Sequence, residues 1–272
     1  MIRLVCDKEQ TLKQFTDENC AQASFFWNAL LRDKEIKING KKVGADTTLS
    51  VGDEICYYLT PKQAEKRGYA VVYEDENLLV VDKESGVNSE AVFADLKRNQ
   101  GGRCAFIHRL DRNTSGLLSF AKNEKTEGEL LSAFKEKRVE KRYHALCFGA
   151  FPRENDTLTA YLKKNEKTSL VKIYDTPVNG AERIVTEYTV IEKRGETTKV
   201  EIVLHTGKTH QIRAHLAHIG CPIVGDMKYG VTLLNKSKNA TRQQLVAKFL
   251  SFAFVGELSY LNGKTFVSSF EI

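Results

Sequence analysis

Beyond residue 69 the sequence keeps returning to short strand-like runs, and this recurrence narrows the possible folds more than any other feature. Residues 70–73 (Ala-Val-Val-Tyr) and 78–81 (Leu-Leu-Val-Val) are apolar and rich in β-branched side chains, with polar residues 74–77 as the turn between them. Residues 142–148 form another such run, and 184–191 and 198–205 flank the turn residues Lys193, Arg194 and Gly195. Helical spacing is rarer. From Asn123 onward, Leu130, Leu131 and Phe134 mark the inner face of one helix. Another starts with Thr209 as its cap and runs to about His218, with Ile212, Leu216 and Ile219 inward and Gly220 and Pro222 stopping it. Arg213 lies off that apolar face, free to point into a cleft. Strands outnumber helices, so an α+β domain on a mainly antiparallel, mixed sheet is expected.

Residues 1–60 read as a separate, small α/β module. Residues 21–31 are helix-like, with Phe25, Phe26, Ala29 and Leu30 at helical spacing. Ile36-Lys37-Ile38 alternates as a strand, and Asn39-Gly40 is a strong hairpin signal because both residues tolerate positive φ. Val51-Gly52-Asp53 gives a second turn and residues 55–59 a second strand. Residues 61–68, polar and opened by Pro61, read as the linker to a domain spanning 69–272. A polar linker implies that few core contacts cross it.

Charge narrows the class of partner. The formal net charge is +6, a mild lean towards a polyanion. Its distribution says more: from Met227 to Gly256 there is no acidic residue, yet Lys228, Lys236, Lys238, Arg242 and Lys248 occur, and a second basic cluster runs from Lys135 to Arg142. No apolar stretch approaches a membrane span, and charges interrupt the N-terminus too early for an export signal. The six cysteines show no Cys-x-x-Cys spacing. Reduced thiols in a cytoplasmic monomer, with no metal site, are the expectation.

The chemistry concentrates at residues 108–118, His-Arg-Leu-Asp-Arg-Asn-Thr-Ser-Gly-Leu-Leu. One carboxylate, Asp111, stands between Arg109 and Arg112. Cations beside a carboxylate favour its ionised form, and an ionised Asp can act as a nucleophile without a neighbouring base. Guanidiniums also bind phosphate oxygens in a bidentate fork. The string therefore points to carboxylate chemistry on a phosphate-bearing substrate, or else to an Arg-Asp-Arg network that only pins a loop. Two other readings fail. Gly207-Lys208-Thr209 is not a phosphate loop, because Ile202 stands where the first glycine belongs. His210, His215 and His218 lack the i, i+4 spacing of a zinc helix.

The string resembles the catalytic motif of the RluA-type pseudouridine synthases. Lys141-Arg142-Tyr143-His144-Ala145-Leu146 is similar to that family's Lys-x-Tyr-x-Ala-Leu segment, and residues 206–216, Thr-Gly-Lys-Thr-His-Gln-Ile-Arg-Ala-His-Leu, to its third motif, with Lys208 where Arg is commoner. Gly225-Asp226 with Tyr229-Gly230 resembles a fourth. Residues 245–252 resemble the closing segment, with Val246 in place of the usual His and Ala253-Phe254 in place of a His-Pro. Residues 31–43 resemble the S4 RNA-binding domain, whose basic residues would here be Arg32, Lys34, Lys37, Lys41 and Lys42, interrupted by Asp33 and Glu35.

The resemblance implies a pseudouridine synthase fold preceded by an S4-like domain. It implies an isomerase that needs no cofactor and acts on RNA, with ribosomal RNA favoured over transfer RNA. Asp111 would be the catalytic carboxylate, Tyr143 the stacking partner of the uracil, and Arg213 the partner of Asp111. Arg109, Arg112, Thr114, His210, Gln211 and Leu250 are expected around the substrate, Leu250 as an apolar wall. The rivals are a non-catalytic RNA-binding assembly factor and a uracil hydrolase that uses Asp111 to activate water.

Overall fold

The computed structural model describes residues 1–99, 104–165 and 170–272. Its main element is an eleven-stranded sheet built from the runs beyond residue 69. In spatial order the strands are Val171–Tyr174, Asn155–Lys164, Glu182–Arg194, Thr197–Leu204, Val139–Phe148, Leu245–Phe252, Ser115–Ala121, Leu78–Lys83 and Tyr69–Glu74, with Thr265–Val267 added to Leu245–Phe252 and Ala105–Phe106 to Ser115–Ala121. Every pairing is antiparallel except Ser115–Ala121 with Leu245–Phe252. The sheet is thus mainly antiparallel and mixed, as the strand runs predict.

That one parallel junction explains a residue of the 108–118 string. Gly116 pairs with Ala247 and has φ +112°, and a Cβ there would lie 2.4 Å from the Ala247 carbonyl oxygen. Only glycine fits both the backbone angle and the approach. The strand leading out of the string is thereby held against Leu245–Phe252, next to Tyr143, which pairs with Ala247 from the other side.

Period-two alternation divides the core between the two faces of the sheet. Leu79, Val81, Leu118 and Phe120 join Tyr143, Ile202, Ile212 and Leu216 in one cluster. Leu78, Val80, Leu117 and Ala121 join Leu130, Leu250, Phe252 and Phe266 in the other. The helix Ser89–Asn99 covers the first face with Val92 and Leu96. The helix Glu124–Lys135, capped by Asn123, covers the second with Leu130 and Ala133. Leu131, expected inside, is 47% exposed: it follows Leu130 by about 100°, which turns it off the apolar stripe.

The first residues form their own four-stranded sheet, in the order Ile2–Val5, Glu54–Tyr57, Ile36–Ile38, Lys41–Val43, over a core that includes Leu12, Phe15, Trp27, Leu30, Ile36 and Tyr57. Asn39 and Gly40 turn the hairpin with φ of 48° and 79°. The single helix expected over 21–31 is two, Ala21–Phe25 and Trp27–Arg32, broken where Phe26 leaves helical geometry. A helix that periodicity missed, Leu12–Asn19, precedes them, opened by a capping box between Thr11 and Gln14. Residues 61–68 are not plain coil, since Thr60 and Gln63 cap a short helix, Pro61–Glu65.

Contacts do cross to the rest of the chain, against the expectation from the polar linker. Phe25 meets Tyr69 edge-on at 6.3 Å, Gln22 donates to Asp95 at 3.3 Å, Asn88 to Asp17 at 2.7 Å and Arg98 to the Asn19 carbonyl at 2.8 Å. Among the described residues no helix is long and apolar enough to cross a membrane.

Candidate active site

Asp111 sits in a loop whose backbone is fastened on both sides. Ser89, at the start of its helix, brackets Leu110, its hydroxyl donating to the Leu110 carbonyl at 2.9 Å and accepting from the Leu110 N–H at 3.1 Å. The Arg112 carbonyl accepts from the Gly86 N–H at 2.9 Å and from Lys83 Nζ at 3.0 Å. Thr114 N–H closes a turn onto the Asp111 carbonyl at 3.1 Å. Lys83 ends the buried strand Leu78–Lys83 with no side-chain exposure to solvent. Burial pulls its pKa down to about 7. Its three carbonyl acceptors, on Glu84, Val87 and Arg112, match the three donors of an ammonium.

The carboxylate of Asp111, one quarter exposed, accepts from Arg213 Nη1 at 2.9 Å. Arg213 is itself gripped from behind. Its Nε donates to Asp226 Oδ2 at 2.7 Å and its Nη2 to Asp226 Oδ1 at 2.9 Å, a bidentate fork. Asp226 also accepts from the backbone N–H groups of Lys228 and Tyr229. Burial works against the charges of Arg213 and Asp226, but pairing overrides it. The Arg213 pKa is raised by Asp226 and Asp111, and the Asp226 pKa is lowered by Arg213. The guanidinium is thereby fixed in plane as well as in place. Tyr229 adds its ring face, 5.2 Å from the guanidinium carbon.

Two more groups complete the cleft. His210 enters the helix Gln211–His218 in the left-handed region, φ +56°. This places its Nδ1 2.8 Å from the Tyr229 hydroxyl and its Nε2 3.9 Å from Asp111. Burial, the largest influence, lowers its pKa. Tyr143 is 6% exposed. Burial first, and the nearby Asp111 charge second, push its phenol upward, so it rests un-ionised. An acidic proton acceptor and an aromatic face are thus held together, with an arginine immobilised behind the acid.

The sequence expectations meet this geometry unevenly. Asp111, Arg213 and His210 converge, and Tyr143 borders them. Arg109 and Arg112 do not supply the cations for Asp111. Arg109, exposed, pairs with Glu90 at 3.2 Å, and the Arg112 side chain runs the other way, 4.0 Å from Asp17. Successive residues of an extended segment point apart, which turns Arg112 away from Asp111, and Arg109 is drawn out to Glu90. Thr114 and Gln211 are buried structural residues: Thr114 accepts from Gln243 at 3.0 Å, and Gln211 spends its amide on Thr206, Lys208, Val185 and Thr186. That amide, and not Thr209, organises the helix start. Leu250 belongs to the core on the opposite face, with Phe252 and Phe266; it stands three positions beyond Ala247, an odd step along a strand whose side chains alternate. Arg213 is locked, where the helix pattern left it free.

The basic stretches also separate. Lys248 is buried, donating to the Ser268 and Phe270 carbonyls and to Glu271, and Lys238 pairs with Glu196 at 2.9 Å. The cluster at 135–141 instead lines a groove of about 820 Å3 with Lys135, Lys137, Arg138, Lys141 and Lys208 on its walls. Lys208 is two residues from His210, so the groove opens beside the cleft. In the N-terminal module, Lys34, Lys41 and Lys42 are exposed, Lys37 lies over the Tyr58 ring at 5.0 Å, and Arg32 is tied to Asp33 at 2.8 Å. Among the described residues no cluster of His, Cys, Asp and Glu could hold a metal, and the six cysteines are buried and unpaired.

Asp226 was missed as a site residue, although it stood in the fourth motif. Its signal was an acid between Gly225 and Tyr229-Gly230, a spacing that allows backbone N–H groups to cradle a carboxylate. Lys83 left a plainer one: a charged pair, Asp82-Lys83, at the end of an apolar strand.

Comparison with known proteins agrees with this geometry. The family model described as RNA pseudouridylate synthase matches residues 66–218. A protein named ribosomal large subunit pseudouridine synthase C from Rickettsia bellii is 33% identical over 228 residues, 74% of this chain and 75% of that protein. Its namesake from Vibrio cholerae is 33% identical over 227 residues, 74% and 70% of the two chains. Among solved structures, human RNA pseudouridylate synthase domain containing 1 aligns with a TM-score of 0.59 at 27% identity, over 70% of this chain and 80% of that one.

Proposed function

The chain belongs to the RNA pseudouridylate synthase family, and from that premise we propose that it converts uridines of large-subunit ribosomal RNA to pseudouridine at Asp111. The observation that carries the assignment of Asp111 is the relay in which Asp226 holds Arg213 and Arg213 holds Asp111, at 2.7–2.9 Å throughout. The reaction is an isomerisation. The bond from ribose C1′ to uracil N1 breaks, the uracil turns within the pocket, and C1′ joins C5. The C5 proton leaves and N1 gains one, so atoms balance without a co-reactant.

Each group has a task in that sequence. Asp111 supplies the carboxylate, and Arg213 holds it aimed at a fixed point, so no reorganisation is needed at the moment of reaction. Tyr143 offers its face to the uracil, which must leave its stack at a cost of a few kcal/mol. Phosphates flanking the flipped uridine would run into the groove beside Lys208, where counterion release contributes affinity. Arg109, exposed and paired with Glu90, would exchange that partner for a phosphate. The ribosomal substrate is supported by the names of the relatives at 33% identity, and the S4-like reading of residues 1–60 fits an RNA partner. Mapping pseudouridines in ribosomal and transfer RNA from cells with and without the gene tests the proposal. The expected result is the loss of one or more sites in large-subunit ribosomal RNA. Losses confined to transfer RNA, or no loss at all, would overturn it.

A further inference from the structure

The contact between the N-terminal module and the catalytic loop is unusually direct. Asp17, on the helix Leu12–Asn19, is 8% exposed although it belongs to a surface helix. Its carboxylate accepts from Lys13 and Ser24 of its own module. It also accepts from Asn88 Nδ2 at 2.7 Å, and it lies 4.0 Å from Arg112 Nη2. These last two partners belong to the segments that hold the reacting residue. Asn88 precedes Ser89, which brackets both backbone groups of Leu110. Arg112 follows Asp111, and its buried Nη2 makes no hydrogen bond; the charge of Asp17 is the larger of the two carboxylate charges that act on it, Glu90 being the other. One carboxylate of the first module therefore reaches Arg112 directly and Leu110 through Asn88 and Ser89.

We propose that the N-terminal module serves the reaction as a brace for the catalytic loop, with Asp17 as its positioning residue. This rests on the assignment of Asp111 above. Asp17 touches no substrate; it acts through Asn88 and Arg112. Reactivity depends steeply on such placement, since a displacement near 1 Å can cost about a hundred-fold in rate. The module would then contribute to turnover as well as to RNA capture, and Arg112 is a strut rather than a phosphate ligand.

The test uses the full-length chain and a transcript of large-subunit ribosomal RNA carrying 5-tritiated uridine. Asp17→Asn keeps the side-chain shape and removes the charge. The single-turnover rate at saturating enzyme should fall at least ten-fold, while RNA affinity and its salt dependence stay within two-fold. Glu18→Gln, the exposed neighbour that pairs with Lys8, should behave as wild type. A normal rate with weakened RNA binding, or no change in either, overturns the brace. If Asp17→Asn does not fold by circular dichroism, Arg112→Gln removes the other end, and full-rate turnover by the folded Arg112→Gln chain overturns the proposal equally. Hydrogen exchange provides a readout independent of activity: the Leu110 and Thr114 amides should exchange faster in Asp17→Asn. A wild-type chain that turns over no uridine refutes the assignment of Asp111 instead, and the exchange rates then decide the brace alone.

Discussion

The Asp111 cluster and the basic surface of the N-terminal module are both assemblies of charge, at opposite extremes of solvation. In the first, the Arg213 and Asp226 side chains are 7% and 1% exposed and every donor of the guanidinium fork is directed. In the second, Arg32 and Asp33 are 75% and 52% exposed, and Lys37 and Lys42 face each other across a hairpin as like charges. Removing one partner of a buried pair strands a charge away from water and costs about 3–5 kcal/mol. An exposed pair is worth about 1 kcal/mol or less. Burial therefore converts charge into position, which chemistry needs, whereas exposure leaves charge available for exchange with phosphates, which capture needs.

If that division holds, the largest effect belongs to Asp111→Asn. The change is near-isosteric, so fold and RNA affinity should survive while tritium release falls by at least about three orders of magnitude, the scale for losing a reacting group. Substantial turnover would place the chemistry elsewhere. Asp226→Asn comes next, because it uncouples the fork behind Arg213. Urea denaturation should show a loss of about 3–5 kcal/mol, with turnover impaired as well; an unchanged midpoint would mean the pair is not the rigid element described.

Tyr143 tests the border between the two kinds of region, since it positions by contact rather than by charge. Tyr143→Ala should weaken RNA binding by about 1–3 kcal/mol, the range for base–aromatic stacking, while Tyr143→Phe binds almost normally. Equal, wild-type behaviour of both variants would reduce Tyr143 to a sheet residue. The smallest effect is expected on the exposed face. Lys37→Gln with Lys42→Gln should leave the rate at saturating RNA untouched and make the salt dependence of binding shallower, by up to about 2 in the slope of log K against log salt. Identical slopes would show that this face does not meet RNA.

Much of the fold was legible because its signals are local. Strand runs, the Asn39-Gly40 turn and the helix that opens at Asn123 each depend on neighbouring residues, and each appears where the pattern predicts. The helix Leu12–Asn19 was missed although Thr11 and Gln14 spelled its capping box, because its apolar residues are too few to show a stripe. Leu131 and Leu250 lie elsewhere for a geometric reason: a step of one residue on a helix, or of an odd number along a strand, turns a side chain to another face.

The sequence alone determined the order of the chemistry-bearing segments, the α+β class and the residue types at the cleft, because motifs and periodicities are properties of contiguous chain. It could not say which cation faces Asp111. Its neighbours Arg109 and Arg112 diverge to Glu90 and Asp17, while Arg213, 102 positions away, arrives with Asp226 behind it. Pairing of charges is fixed by distance through space. That distance is set by strand order, by the approach of Gly116 to Ala247 and by the docking of one module on another, all of which exist only once the chain has folded.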